Sequence, residues 1–311
     1  MNRRLALNKA FQRGHLLSLK HTFYRAWIEK FIVEEMKGDL GNQGDITTDL
    51  LFKKDKKTKA VIIAKEEGII AGIEEVVLLY KKNGLRVSSP LKDGARARKG
   101  TKILEIRGSL KSILRVERSA LDVLQRMSGI ATITDALISK VKGKVAIAPT
   151  RKTQWRYLDK KAVFVGGGLT HRLALWDAIL IKENHLDIMR EQGEKMPLEK
   201  AIKKASESPH GNFIEIEVEK KEKALKAAEL FSSIRPKKPC LIMLDNFTPR
   251  QIKETIRELK KKNAYHAALF EASGGINPQN ISSYADTGVD VISMGYLTHS
   301  PTILDLTQLI E

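Results

Sequence analysis

Between Ala148 and His185 the sequence packs Arg151, Lys152, Arg156, Lys160, Lys161, Arg172 and Lys182 around the run Gly166-Gly167-Gly168. Only Asp159, Asp177 and Glu183 dilute them. Such a cluster is either a solvated basic surface or a pocket for a ligand with several negative charges. Further on, "FIEIEVE" alternates strictly, so Glu215, Glu217 and Glu219 share one strand face. A buried carboxylate without a partner is costly. In a covered strand these acids therefore require cations, a metal or a polar substrate, and Lys152 and Lys182 are natural partners. Asp245 closes the apolar run "CLIMLD". Thr248, followed by Pro249, is the better cap for the next helix, which leaves Asp245 available for function. "EASGG" and "ISMG" put Ser273, Gly274, Gly275 and Gly295 directly after apolar runs, where backbone N–H groups can approach a phosphate. "INPQN" reads as a helix start, with Asn277 as cap. His171 and His185 have no third ligand at helical spacing, so hydrogen bonding to a substrate is the better reading of them than metal binding. Together these residues imply a substrate with phosphate, further acidic groups and a ribose-like polyol.

The elements that position these residues follow from the hydrophobic pattern. Six short apolar runs, "VAIAP", "DAILIK", "FIEIEVE", "CLIMLD", "AALFEASGG" and "VDVISMG", recur in the second half, mostly separated by Lys/Glu-rich helical stretches. Strand–helix alternation implies parallel strands joined by crossover helices, and six such units suggest a closed α/β barrel. Every run ends in something polar, which is where an α/β barrel builds its site. The first ~130 residues read as a mixed α/β domain. They include an amphipathic helix over about 20–37 and a long helical stretch from about Ile113 that is interrupted near Ser128-Gly129. Residues 1–20 are basic and without the apolar core of a signal peptide, as a possible extension would be.

Composition narrows the function classes. The chain has 311 residues, 42% hydrophobic and 30% charged, enough for one large or two moderate cores. No run of about 18 apolar residues suggests a membrane span. The single cysteine, Cys240, excludes an intrachain disulfide or a cysteine metal cluster and suits a reducing cytoplasm. The net charge of +18 favours anionic partners. Nucleic acid is not expected among them. The lysines are scattered among acids and turns, aromatics are only 6%, and no zinc-finger or basic-zipper spacing occurs. P-loop, dinucleotide-binding, HExxH and GxSxG motifs are all missing.

Ten motifs then occur in order: "GDITT", "AGIEE", "ERSALDVLQRMSGIAT", "TRKT", "GGGLTHR", "LIKENH", "IEIEVE", "LDNF", "EASGGI" and "GVDVISMG". By these the chain resembles the quinolinate phosphoribosyltransferases from about Ala26 to Leu309. The resemblance implies an N-terminal α/β sandwich, residues 1–129, followed by an incomplete α/β barrel, residues 130–311, the type II phosphoribosyltransferase architecture. It implies transfer of phosphoribosyl from phosphoribosyl pyrophosphate to quinolinate, with release of pyrophosphate and carbon dioxide and formation of nicotinate mononucleotide in NAD biosynthesis. Mg²⁺ is the implied ion, and a homodimer with shared sites, possibly within a larger homo-oligomer, the implied assembly. Arg118 would reach a site across the dimer. Arg151, Lys152, His171, Arg172 and Lys182 would bind carboxylates and phosphates. Glu217 and Asp245 would lie by the ribose and Mg²⁺, meeting the ion at most through the substrate, and with Lys152 they form the expected catalytic set. Ser273, Gly274, Gly275 and Gly295 would cradle the 5-phosphate. Two departures stand out. "TRKTQWRY" lacks the Pro-Gly that usually follows TRKT, and "RPKKPC" resembles an insertion. The altered loop favours one alternative, a related enzyme with another aromatic acid acceptor. The other, a non-catalytic basic binding protein, is opposed by retention of both acids and both Gly loops.

Overall fold

The apolar runs of the second half fold as six parallel strands: Ala146–Pro149, Ile179–Ile181, Ile214–Val218, Cys240–Asp245, Leu269–Ser273 and Val291–Met294. The structure, a computed structural model, describes residues 2–311. Pairing runs unbroken from the second strand to the sixth, and the sixth pairs with the first. The first and second strands leave their other edges unpaired among the described residues, so the barrel is incomplete. Crossover helices such as Lys221–Ile234 and Pro249–Lys261 join successive strands. The latter begins at the expected cap, with Thr248 Oγ1 accepting the Gln251 N–H and Gln251 Oε1 accepting the Thr248 N–H.

The chain divides into two units that share the sequence in alternating segments. The barrel unit comprises Met1–Arg13, Ala136–Arg156 and Gly168–Ser300; the second comprises Gly14–Asp135, Tyr157–Gly167 and Pro301–Glu311. The single cut expected at 129/130 falls inside the helix Leu110–Lys140. The first residues, read as a possible extension, belong to the barrel core. Leu7, Ala10 and Phe11 of the helix Arg3–Phe11 are buried with Ala178, Phe213, Leu241, Leu269 and Val291, mostly at the N-terminal ends of the strands. Burial of Phe11 alone contributes about 1.5–3 kcal/mol. Arg3 anchors the helix with a fork to Asp290 (2.7 and 2.5 Å) and lies over the Tyr265 ring at 4.1 Å.

The second unit holds a four-stranded antiparallel sheet in the order Leu306–Ile310, Lys57–Ala64, Lys102–Ser109, Arg86–Ser88. The chain's last strand is therefore part of this unit and not of the barrel. Its helices include Thr22–Leu40, close to the expected span, and most of Leu110–Lys140, up to Asp135, which runs without the expected break. Gly129 is there for a close approach: a Cβ at this position would lie 1.8 Å from the Thr302 carbonyl oxygen. The unit also buries a charged cluster. Lys161 Nζ lies 2.8 Å from Glu74, 2.7 Å from Glu75 and 3.6 Å from Asp93, and the Tyr24 hydroxyl donates to Glu75 at 2.7 Å. Lys161 is thus a structural cation and not part of a ligand pocket.

Candidate active site

At the C-terminal ends of the barrel strands the side chains converge on a cavity of about 490 Å³. Arg151 and Lys152 follow the first strand, Lys182 the second, Asp245 the fourth, Ser273-Gly274-Gly275 the fifth and Gly295 the sixth, and Glu217 comes from the third. His171 and Arg172, between the first two strands, complete the expected set. Four cationic side chains thus face two carboxylates across one cavity. Arg118 is the exception. It lies in the second unit, on the helix Leu110–Lys140, well exposed, and donates to Asp122 one turn on (3.2 Å).

The strict alternation of "FIEIEVE" has three outcomes. Glu219 is exposed. Glu217 lines the cavity and pairs with Lys182. Glu215 is completely buried below. Lys152, the other expected partner, has no carboxylate within 4 Å among the described residues; its carbonyl accepts from Thr298 (2.6 Å). His185 serves the helix Glu183–Glu191 by accepting the Lys182 N–H at Nδ1 (2.9 Å). Lys182 is therefore fixed at the turn from strand to helix, with its ammonium directed to Glu217.

Gly274 meets a strict requirement. Its φ is +95°, and a Cβ would sit 2.2 Å from the Asn246 amide oxygen. Asn246, itself at φ +57°, donates its N–H to the Ser273 carbonyl (2.8 Å) and its side-chain N–H to Asp245 (2.9 Å). One asparagine thereby couples the Asp245 strand end to the glycine loop. The helix expected directly after that loop begins later, at Ile281; Asn277 instead accepts the N–H groups of Gln279 and Asn280 in a turn.

The segment Thr170-His171-Arg172 is held from several sides. Thr170 donates its N–H and hydroxyl to the Phe11 carbonyl (2.9 and 2.6 Å). Asp177 accepts the Leu173 N–H (2.8 Å) and lies 3.3 Å from Arg13. Arg172 is buried, and that burial, together with the nearby Arg151 guanidinium, pushes its pKa below the ordinary value. It remains a cation, as guanidinium does in proteins. His171, at φ +53°, packs its ring on Phe11 (4.2 Å between centroids). Below it lies a wholly buried pair, Glu215 and Glu271, with Ser293 donating to Glu271. Burial and the adjacent Glu271 hold Glu215 well above the usual carboxylate range. Burial also pushes Glu271 up, but His171, Ser293 and the Glu215 carboxyl outweigh it and hold Glu271 below its ordinary value. The two carboxyls are thus driven apart, Glu215 upward and Glu271 downward.

Thr150, Asn246, Ser293, Tyr296 and His299 also line the cavity and are absent from the expected set. Gly295 to His299 is one helical step of four residues, a spacing that would have found His299.

Sequence models of the quinolinate phosphoribosyl transferase N-terminal and C-terminal domains match residues 45–128 and 130–308. The chain belongs to the quinolinate phosphoribosyl transferase family. It is 36% identical over 287 residues to the probable nicotinate-nucleotide pyrophosphorylase [carboxylating] of Methanothermobacter thermautotrophicus, covering 89% of this chain and 96% of the relative. It is 38% identical to the protein of that name in Methanocaldococcus jannaschii, covering 89% and 95%. The solved nicotinate-nucleotide pyrophosphorylase of Francisella tularensis superposes with a TM-score of 0.76 at 32% identity, covering 91% of this chain and 96% of the other. In this family member, all the expected site residues of the barrel unit share one cavity. No helix is long and apolar enough to cross a membrane among the described residues.

Proposed function

We propose that the chain transfers phosphoribosyl from phosphoribosyl pyrophosphate to quinolinate and decarboxylates the product, giving nicotinate mononucleotide, pyrophosphate and carbon dioxide. One observation carries the reading: at the barrel's C-terminal mouth Arg151, Lys152, Arg172 and Lys182 face Glu217, Asp245 and two glycine turns. An acceptor with two carboxylates and a donor with pyrophosphate and phosphate match that charge balance. The names of the relatives support the same reaction.

The chemistry follows from where charge develops. As the bond from C1 to pyrophosphate breaks, the ribose ring becomes positive and the leaving group negative. Fixed cations stabilise the leaving group, and Glu217 and Asp245 face the ring; this is electrostatic preorganisation. The pyridine nitrogen needs no activating base. Once ribosylated it is cationic and stabilises, by its charge, the electron pair left on the adjacent ring carbon as carbon dioxide departs; a proton from solvent then takes the place of the lost carboxyl. Ser273, Gly274, Gly275 and Gly295 cradle the 5-phosphate in this reading. Asp245 pairs with no Lys or Arg within 4 Å among the described residues, so it suits a Mg²⁺ carried on pyrophosphate better than Glu217, which is taken by Lys182. Bound there, Mg²⁺ supplies further neutralisation of the pyrophosphate. Arg118 completes the site of a second copy in a homodimer, and the cytoplasm is the compartment this reading assigns. The test is incubation of the purified protein with phosphoribosyl pyrophosphate, Mg²⁺ and quinolinate. Nicotinate mononucleotide and pyrophosphate should form together; failure to form either contradicts the proposal.

A further inference from the structure

Thr298 is wholly buried, whereas Tyr296 and His299 of the same short helix, Tyr296–His299, line the cavity. A threonine hydroxyl in a helix ordinarily returns to a carbonyl three or four residues back. For Thr298 the carbonyl three back is that of Gly295, and it lies at 3.4 Å. It already accepts the Thr298 and His299 N–H groups at 3.0 and 2.9 Å. The hydroxyl instead donates to the Lys152 carbonyl at 2.6 Å, across 146 residues of sequence. The backbone it holds begins where the sheet ends. The strands Ala146–Pro149 and Val291–Met294 pair as far as Pro149 and Met294, and the ladder stops there. Beyond it, the Lys152 N–H donates to Thr150 Oγ1 at 3.1 Å and the Thr153 N–H to the Arg151 carbonyl at 3.0 Å. Those two bonds shape the turn without fixing it to the barrel. The lysine side chain gives no anchor either. Glu217 is taken by Lys182, and among the described residues the Lys152 ammonium has no ion pair. Its placement therefore falls to the backbone, which Thr298 reaches from the last strand's end.

We infer that Thr298 is a positioning residue for Lys152: its buried hydroxyl extends the pairing of the first and last barrel strands by one bond and so sets where the lysine stands in the cavity. Gly295 belongs to the same knot, since a Cβ on it would lie 3.4 Å from Thr150 Oγ1. The tie thereby joins the turn read as a cradle for the 5-phosphate to one of the cations that meet the charge of the leaving pyrophosphate. Both ends of phosphoribosyl pyrophosphate then face groups held at a fixed separation, as a preorganised site requires.

The inference rests on the proposed reaction for its kinetic test, and two substitutions separate positioning from packing. Thr298→Val keeps the shape and removes the hydroxyl; Thr298→Ser keeps the hydroxyl and removes the methyl. Positioning predicts that Thr298→Val lowers kcat roughly 10- to 100-fold, the cost of displacing a reacting group by about 1 Å, with both KM values moved less than about 3-fold. Thr298→Ser should recover all but about 3-fold of that loss. Equal losses in the two variants overturn the inference, as does an undiminished kcat in Thr298→Val. A rise in both KM values that tracks a lowered melting temperature overturns it too, since Thr298 would then only pack. Crystal structures of the wild type and of Thr298→Val add a reading independent of turnover. A displaced Lys152 backbone in the valine variant, with the strands in place, supports the tie; Lys152 in its wild-type position overturns it. A protein that forms no nicotinate mononucleotide would fail the functional reading, and the two structures would still judge the tie.

Discussion

Glu217→Gln separates binding from catalysis. The carboxylate lines the cavity, its side chain 18% exposed, paired with a Lys182 side chain that is 42% exposed. A half-exposed pair of this kind contributes only about 0–1 kcal/mol to folding, so the melting temperature should hardly move. The effect on the reaction is larger. The substitution keeps shape and hydrogen bonding but removes one of two negative charges facing the ring as it becomes positive. Loss of one preorganised electrostatic contact lowers kcat by roughly 10²–10³-fold, or about 2.7–4 kcal/mol of barrier. Ground-state binding should not suffer, since four cations then face a single carboxylate and the donor is polyanionic. The assay is initial-rate pyrophosphate release with both substrates varied, beside a thermal melt. Undiminished kcat refutes the assigned role. A lowered melting temperature that accounts for the lost activity refutes it equally, since Glu217 would then be structural.

Two more predictions concern the second unit. Arg118→Ala and Lys152→Ala should each be inactive, yet after subunit exchange an equal mixture should recover about a quarter of wild-type activity, since half the dimers then hold one intact site of two; no recovery despite demonstrated exchange refutes a shared site. Asp93 is buried beside Lys161, Glu75 and Glu74 and accepts the Ile73 N–H at 2.9 Å. Burial pushes its carboxyl up to about 6, with Glu75 and Glu74 adding to the rise and Lys161 opposing it. A folded pKa above the unfolded one means that the folded chain holds the proton more tightly, so this group's contribution to stability falls as pH rises from about 4 to about 6. Asp93→Asn should therefore stabilise the protein at pH 7.5, by up to about 3 kcal/mol. The gain should fall to about half near pH 5 and vanish below about pH 4, and a lower melting temperature for the variant at pH 7.5 would contradict it.

The barrel was legible because each strand is a short apolar run with a polar end, a pattern that depends on local sequence alone. The same pattern marked Lys152, Lys182, Glu217, Asp245 and the glycine turns, which all line the cavity. What escaped depends on contacts between distant segments. Helix propensity suggests a break at Gly129, whereas the glycine answers to Thr302, 173 residues away. The basic run around Gly166 reads as either a solvated surface or a pocket, and the fold divides it: Lys161 pairs with Glu74 and Glu75, and a Cβ on Gly166 would lie 2.4 Å from the Ala131 carbonyl oxygen. Nothing local marks the helix Arg3–Phe11 as the barrel's floor. Glu271 was within reach: the alternation that put Glu217 in the site puts Glu271 on the face of Ser273. His171 was assigned by residue type, whereas its acceptance of the Arg172 N–H and its place beside Glu215 and Glu271 come from the fold.

The central claim is that the four cations of this cavity select a dicarboxylate acceptor. Quinolinate labelled in the carboxyl adjacent to the ring nitrogen, supplied with phosphoribosyl pyrophosphate and Mg²⁺, tests it directly beside nicotinate under the same conditions. One labelled carbon dioxide should be released for each nicotinate mononucleotide formed, with little product from nicotinate. Equal turnover of the two acids, or mononucleotide without carbon dioxide, would contradict it.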